Sequence, residues 1–159
     1  MSPLMVCRTA TADLLEALGN DGEPVRLTRR RYGQMARQVA EGVAYSLRTG
    51  DGVLVAIVGL WPEADHEEAW FAAGPAFRAC APRALRRIRH LLEQFAPLAG
   101  LTCVRAYVMA PAGWGEGASP ACLAGVRLGA RLGFTMAGLD DDTSPPLVRL
   151  ERRFDHGSR

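Results

Sequence analysis

EEAWFAAGPAFRACAPRALRRIRHLLEQF, residues Glu67 to Phe95, is the stretch that decides the fold. Ala69 to Ala73 is short, apolar and rich in aromatics, which predicts a buried strand. Gly74 and Pro75 stop it. From Ala84 onward, Leu85, Ile88, Leu91, Leu92 and Phe95 recur at helical spacing, with Arg86, Arg87, Arg89 and His90 on the opposite side. FRACAPR, between strand and helix, reads as a tight turn whose backbone N–H groups open the helix. The donors at a helix start lack internal partners and carry partial positive charge. A strand feeding such a start beside arginines makes an anion cradle, suited above all to phosphate.

Outward from this unit, the chain reads as one domain with no internal repeat and no linker. Leu4 to Thr9 predicts a first strand. Thr9 or Thr11 would cap a short helix ending at Gly19. Thr28 would cap a second helix running to about Tyr45, with Tyr32, Met35, Val39 and Val43 inward and Arg29 to Arg31 outward. Ala44 to Val58 predicts two strands around a Thr-Gly-Asp-Gly turn. Past the central helix, Thr102 to Met109 alternates as a strand. Residues 111–120 read as a glycine-rich loop around Trp114 and Glu116. Ser119 would cap a last helix from Pro120 to about Leu132. A strand, an acidic Pro-rich turn and a return strand close the chain. The expected order is β-α-α-β-β-β-α-β-α-β-β, an α/β (α+β) arrangement with a mixed central sheet.

Composition bounds the function. The chain has 159 residues, 48% of them hydrophobic, enough for a proper core. A net charge of +2 gives no argument for nucleic acid or an anionic membrane as partner. The longest apolar run, Val53 to Trp61, is about half of a membrane span. No signal peptide is visible, so a cytoplasmic location is expected. Cys7, Cys80, Cys103 and Cys122 are scattered without a C-x-x-C pair, which argues against zinc and for reduced thiols.

Residues 72–81, AAGPAFRACA, resemble motif A of the GNAT acetyltransferase superfamily, the loop that grips the acetyl-CoA pyrophosphate. Pro75, Phe77 and Arg78 stand at matching positions, Ala81 replaces the first loop glycine, and Arg83 holds the next glycine position. Residues 129–134, GARLGF, resemble the end of motif B through Leu132, Gly133 and Phe134, with Leu128 just before them. There Cys122 occupies the asparagine position and Gly129 the tyrosine position. The resemblance implies the GNAT fold over nearly the whole chain and acetyl-CoA as cofactor. It implies that Arg78, Ala79, Cys80, Ala81, Arg83 and Ala84 would hold the diphosphate, with the N–H of Ala73 or Gly74 meeting a developing oxyanion.

Amine acetylation also needs a base, since a protonated amine is no nucleophile. Glu67, eleven residues before Arg78, stands where many members of the superfamily place a glutamate, with Glu68 beside it and Asp65 and His66 as lesser candidates. The acid for the leaving thiolate is missing at Gly129, and Tyr107 could replace it. Two readings stay open. One is an acetyl-CoA-dependent N-acetyltransferase of a small-molecule or protein amine. The other is a catalytically degenerate phage or prophage relative, virion-associated, working as a structural or binding module. Trp114 and the Arg29–Arg31 face are candidate protein contacts.

Overall fold

The computed structural model describes residues 3–18, 29–111, 119–140, 142–143 and 146–155, with side chains described from residue 33 on in the second of these segments. Seven strands, β1 (Met5–Arg8), β2 (Val43–Arg48), β3 (Leu54–Pro62), β4 (Glu67–Ala73), β5 (Cys103–Met109), β6 (Thr135–Asp140) and β7 (Leu147–Arg153), form one mixed sheet. Its order is β1-β2-β3-β4-β5-β7-β6. Four helices, α1 (Thr11–Leu18), α2 (Arg29–Glu41), α3 (Phe77–Leu98) and α4 (Ala124–Arg131), complete the described elements. The element order matches the expectation, and the β4–β5 pair is adjacent and parallel, with Glu67 opposite Val104 and Glu68 opposite Arg105. Among the other neighbours, β1–β2, β2–β3, β5–β7 and β6–β7 are antiparallel.

The chain divides into two compact units, Met1–Pro62 with Ala69–Ile88, and Glu63–Glu68 with Arg89–Arg159. In the first, the apolar run of β3 is buried on both faces, with Leu54, Val55, Ala56 and Ile57 fully inaccessible. That burial explains why β3 reads as a continuous apolar run and not an alternating one. Leu14 of α1, Val39 of α2 and Ala44 of β2 close around Leu54 and Ile57, with Met35, Trp70 and Ala72 packed against them. The hairpin turn is as expected: the Gly52 N–H donates to the Thr49 carbonyl, and Gly52 takes a φ of 88°. In the second unit, Gly125 and Gly129 let α4 approach the sheet; a Cβ on them would come within 2.7 Å of Val108 and 2.4 Å of Leu150.

Several boundaries differ from the sequence expectation. Helix α2 ends at Glu41 and not Tyr45: the Gly42 N–H makes a last helical bond to the Gln38 carbonyl, and the backbone oxygens of Gln38 and Leu60 lie so close to Gly42 that no Cβ fits. Val43 is therefore an exposed strand residue, not part of a helix face. At α1 the Thr9 N–H is committed to the Ala44 carbonyl, and the Asp13 carboxylate accepts the Ala10 N–H in place of a threonine cap. Ser119 makes no capping bond; Pro120–Cys122 is a 3-10 turn, and Leu123 is extended before α4 begins. Most consequential is α3, which starts at Phe77, seven residues before Ala84. The tight turn is Gly74–Pro75–Ala76, and FRACAPR is already helix. Pro82 sits inside it, where its missing N–H removes the helix bond to the Arg78 carbonyl. Thr28, Trp114 and Glu116 lie outside the described residues, as do the side chains of Arg29 to Arg31.

Candidate active site

The first unit carries the candidate phosphate-binding residues. Strand β4 enters the turn at Gly74, whose N–H donates to the Val55 carbonyl at 2.9 Å. A Cβ on Gly74 would lie 2.6 Å from the Leu54 carbonyl oxygen, so the close approach of β3 requires glycine here. Because its N–H is spent on β3, Gly74 has no donor to offer an oxyanion. Strand N–H groups alternate in direction, so that of the exposed Ala73 points away from β3. Of the two expected donors, Ala73 is the one left.

Helix α3 then sets the next donors. Phe77 and Cys80 give their N–H groups to the Gly74 and Ala76 carbonyls. Ala81, Arg83 and Ala84 lie far enough into the helix for the internal ladder to take theirs, and Pro82 has none. The outward donors of this helix start are therefore Arg78 and Ala79, both exposed. Cys80 and Ala84 are buried. The Arg83 guanidinium donates to the Cys80 sulfur at 3.5 Å. Of the candidates Arg78, Ala79, Cys80, Ala81, Arg83 and Ala84, the helix start at Phe77 leaves outward N–H groups on Arg78 and Ala79. Phe71 and Phe77 stack edge to face at 5.2 Å and tie β4 to this helix start.

The second unit carries the acid–base candidates. Glu67 and Glu68 open β4 as adjacent strand residues and so point to opposite faces. Burial pushes both carboxyls above their ordinary value; at Glu68 the like charge of Glu63 adds to this, and His66 opposes it at both. Raised carboxyl values bring a base nearer to working pH.

His66 acquires an arrangement that the sequence did not reveal. Its Nδ1 lies 2.7 Å from Asp65 Oδ1, and Arg105 Nη1 donates to Asp65 Oδ2 at 3.3 Å. Arg105 Nη1 also lies 3.1 Å from the same Nδ1. The His66 side chain is only 9% exposed, and Nε2 is buried without a hydrogen-bond partner. Arg105 also donates through Nε to Glu151 Oε1 at 3.0 Å.

Tyr107 lies opposite Arg149 in the β5–β7 ladder, two residues beyond Arg105. The residues of that face, Arg105, Tyr107, Arg149 and Glu151, are polar, whereas Val104, Val148 and Leu150 on the other are buried toward α4. Gly129, at the position where the acid was sought, faces Leu150 so closely that no larger side chain fits. A cavity of about 520 Å³ opens on the polar face, lined by Tyr107, Gly138, Leu139, Asp140, Asp142 and Arg149. Of these residues, the sequence singled out Tyr107 alone. Arg149 is one arginine of three in LVRLERR, and nothing local separates it from its neighbours.

Comparison with known proteins gives the fold a name. No family profile matches the chain, and no curated protein matches it in sequence. Solved structures do match in shape. The ribosomal-protein-S18-alanine N-acetyltransferase of Escherichia coli has a TM-score of 0.65 at 16% identity, covering 99% of this chain and 97% of its own. The fold is that of the GNAT acetyltransferases. The IAA acetyltransferase of Bacillus cereus aligns at 0.64 and 15% identity over 96% of this chain and all of its own. A candidate acetyltransferase of Salmonella typhimurium, yncA, solved with its cofactor acetyl-CoA, aligns at 0.61 and 16% identity over 98% and 96%. At such identities the likeness is one of fold, and a GNAT fold leaves function to be argued from the site.

Proposed function

We propose that this protein is an acetyl-CoA-dependent N-acetyltransferase acting on an amine. The observation that carries the reading is the β4–turn–α3 unit. A strand bearing two carboxyls of raised value runs into the Gly74 turn and the start of a 22-residue helix, on a fold shared with solved acetyltransferases. Bound acetyl-CoA would supply the acetyl group as a thioester. Arg78 and Ala79 would hold its diphosphate through backbone N–H groups and the Arg78 guanidinium. Glu67, or Glu68 through a water, would take the proton from the acceptor ammonium and leave a neutral amine as nucleophile. The Ala73 N–H would meet the negative charge developing on the carbonyl oxygen. With Gly129 closed against Leu150, Tyr107 is the candidate donor to the departing thiolate.

Calorimetry with acetyl-CoA tests the first step, and release of free thiol in the presence of amines tests the second. Saturable binding that weakens in Arg78→Ala supports the reading. No heat at millimolar acetyl-CoA would overturn it and favour a non-catalytic binding role on the same fold.

A further inference from the structure

The cavity beside Tyr107 holds charges of both signs, and among the described residues they are weakly paired or unpaired. Arg149 lies over Gly138, where an added Cβ would come within 3.3 Å of its Nη2. Its Nε is buried with no hydrogen-bond partner, and its side chain remains 43% exposed. The nearest carboxylate is Glu151, and Oε1 of that group stands 3.8 Å away while accepting Arg105 Nε at 3.0 Å. Arg153 reaches the other oxygen at 3.4 Å. Three guanidiniums thus share one carboxylate, and Arg149 has the weakest claim on it. Asp140 and Asp142 line the same cavity. Neither forms an ion pair among the described residues, with Arg149 or with any other cation.

An isolated anion would meet Arg149 and be repelled by two aspartates, and a simple cation would meet the reverse. Only a ligand with both signs of charge satisfies all the groups. The volume suits a small molecule. Along β5 the cavity begins two residues past Arg105, which pairs with Glu68, so about 7 Å of strand separates it from the candidate base.

From this juxtaposition of an under-paired guanidinium and two carboxylates with no ion pair among the described residues, we propose that the pocket binds a zwitterionic amino acid. Its carboxylate lies on Arg149, and its ammonium faces Asp140 and Asp142. This rests on the acetyltransferase reading for its role, naming the acceptor class, but the binding itself needs no acetyl-CoA.

Saturation-transfer NMR on the intact chain, with an equimolar mixture of the twenty standard amino acids, tests it. At least one amino acid is expected to receive signal from the protein. The carboxamide of that amino acid, and separately its N-acetyl form, should each bind about 10- to 100-fold more weakly, since each loses one charged pairing. Arg149→Gln should weaken the parent by a similar factor, whereas Arg149→Lys should recover part of the loss. No signal from any amino acid would overturn the proposal. So would a carboxamide or an N-acetyl form that binds as well as its parent. If Arg149→Gln fails to fold, these two comparisons on the unaltered chain decide. A protein that binds the amino acid but not acetyl-CoA would keep this pocket and lose the acetyltransferase reading. One that binds acetyl-CoA but no amino acid would do the opposite.

Discussion

Gly74→Ala and Gly33→Ala make the same chemical change and should move stability in opposite directions. At Gly74 the new Cβ would stand 2.6 Å from the Leu54 carbonyl oxygen and 2.7 Å from Leu54 Cγ. Ordinary contact begins at 3.4 Å, so the overlap with the oxygen is about 0.8 Å. Leu54 has nowhere to retreat. It is fully buried, and its carbonyl accepts the Ala76 N–H at 3.0 Å. Relief has to come from opening the turn, which strains that bond and the one from Gly74 to Val55. Overpacking costs about 1–3 kcal/mol and each weakened bond about 1 kcal/mol, so a loss of about 2–4 kcal/mol is expected. At Gly33, inside α2, nothing lies within 4 Å, and alanine should stabilise by about 0.5–1 kcal/mol. Urea denaturation followed by far-UV circular dichroism reads both. With a slope of about 1–3 kcal/mol per molar urea, the Gly74 variant should unfold roughly 1–2 M earlier. Acetyl-CoA binding should weaken in parallel, because the displaced turn carries the start of α3. A Gly74→Ala protein within about 0.5 kcal/mol of the parent, or two variants shifting the same way, would refute the reasoning.

Asp13 offers a second test, on pH. Its carboxylate accepts the Ser46 hydroxyl, the Ala10 N–H and the Arg48 guanidinium, the last at 2.6 Å. Burial alone would raise its value, but these bonds outweigh it and hold the carboxyl below the ordinary 3.8. A depressed carboxyl stabilises above its unfolded value and loses that contribution as pH falls through the folded one. Asp13→Asn should therefore cost about 1–2 kcal/mol at neutral pH, with the difference from the parent closing only below pH 3.8; a gap unchanged at acid pH would count against the ion pair. For catalysis, Gln at the true base among Glu67 and Glu68 should lower the rate about a hundredfold, and an active enzyme indifferent to Gln at both would remove the assignment. The rate should rise with pH to a plateau, and His66→Gln should move that rise to higher pH, because His66 pulls both carboxyls down. Gly129→Tyr should destabilise the chain without raising turnover, since its Cβ would collide with Leu150 at 2.4 Å; a faster enzyme would show that position to be open to the thiolate.

The sequence by itself determined the order of elements. That order follows from local physics: alternation in β5, helical spacing in α3, the Thr-Gly-Asp-Gly turn and the stop at Gly74-Pro75 are all written within a few residues of where they act. Its boundaries were less legible, because neighbours in space set them. Helix α2 stops where Leu60 presses on Gly42, and α3 starts early because Gly74 and Ala76 supply carbonyls to Phe77 and Cys80. Of the phosphate-side candidates, the early helix start leaves outward N–H groups on Arg78 and Ala79 and draws Ala81, Arg83 and Ala84 into the helix ladder.

The charged groups depended wholly on tertiary structure. His66 gains its buried nitrogen only when Asp65 and Arg105, 40 residues apart, meet beside it. Arg149 stands out from Arg152 and Arg153 only after folding. Arg152 is claimed by Glu93 and the Leu132 carbonyl, and Arg153 sits at the exposed strand end. An arginine's availability is settled by which carboxylates the fold brings to it, and no local pattern records that. Whether Gly129 could be an acid or a packing surface was decided in the same way, by Leu150 of another strand lying against it.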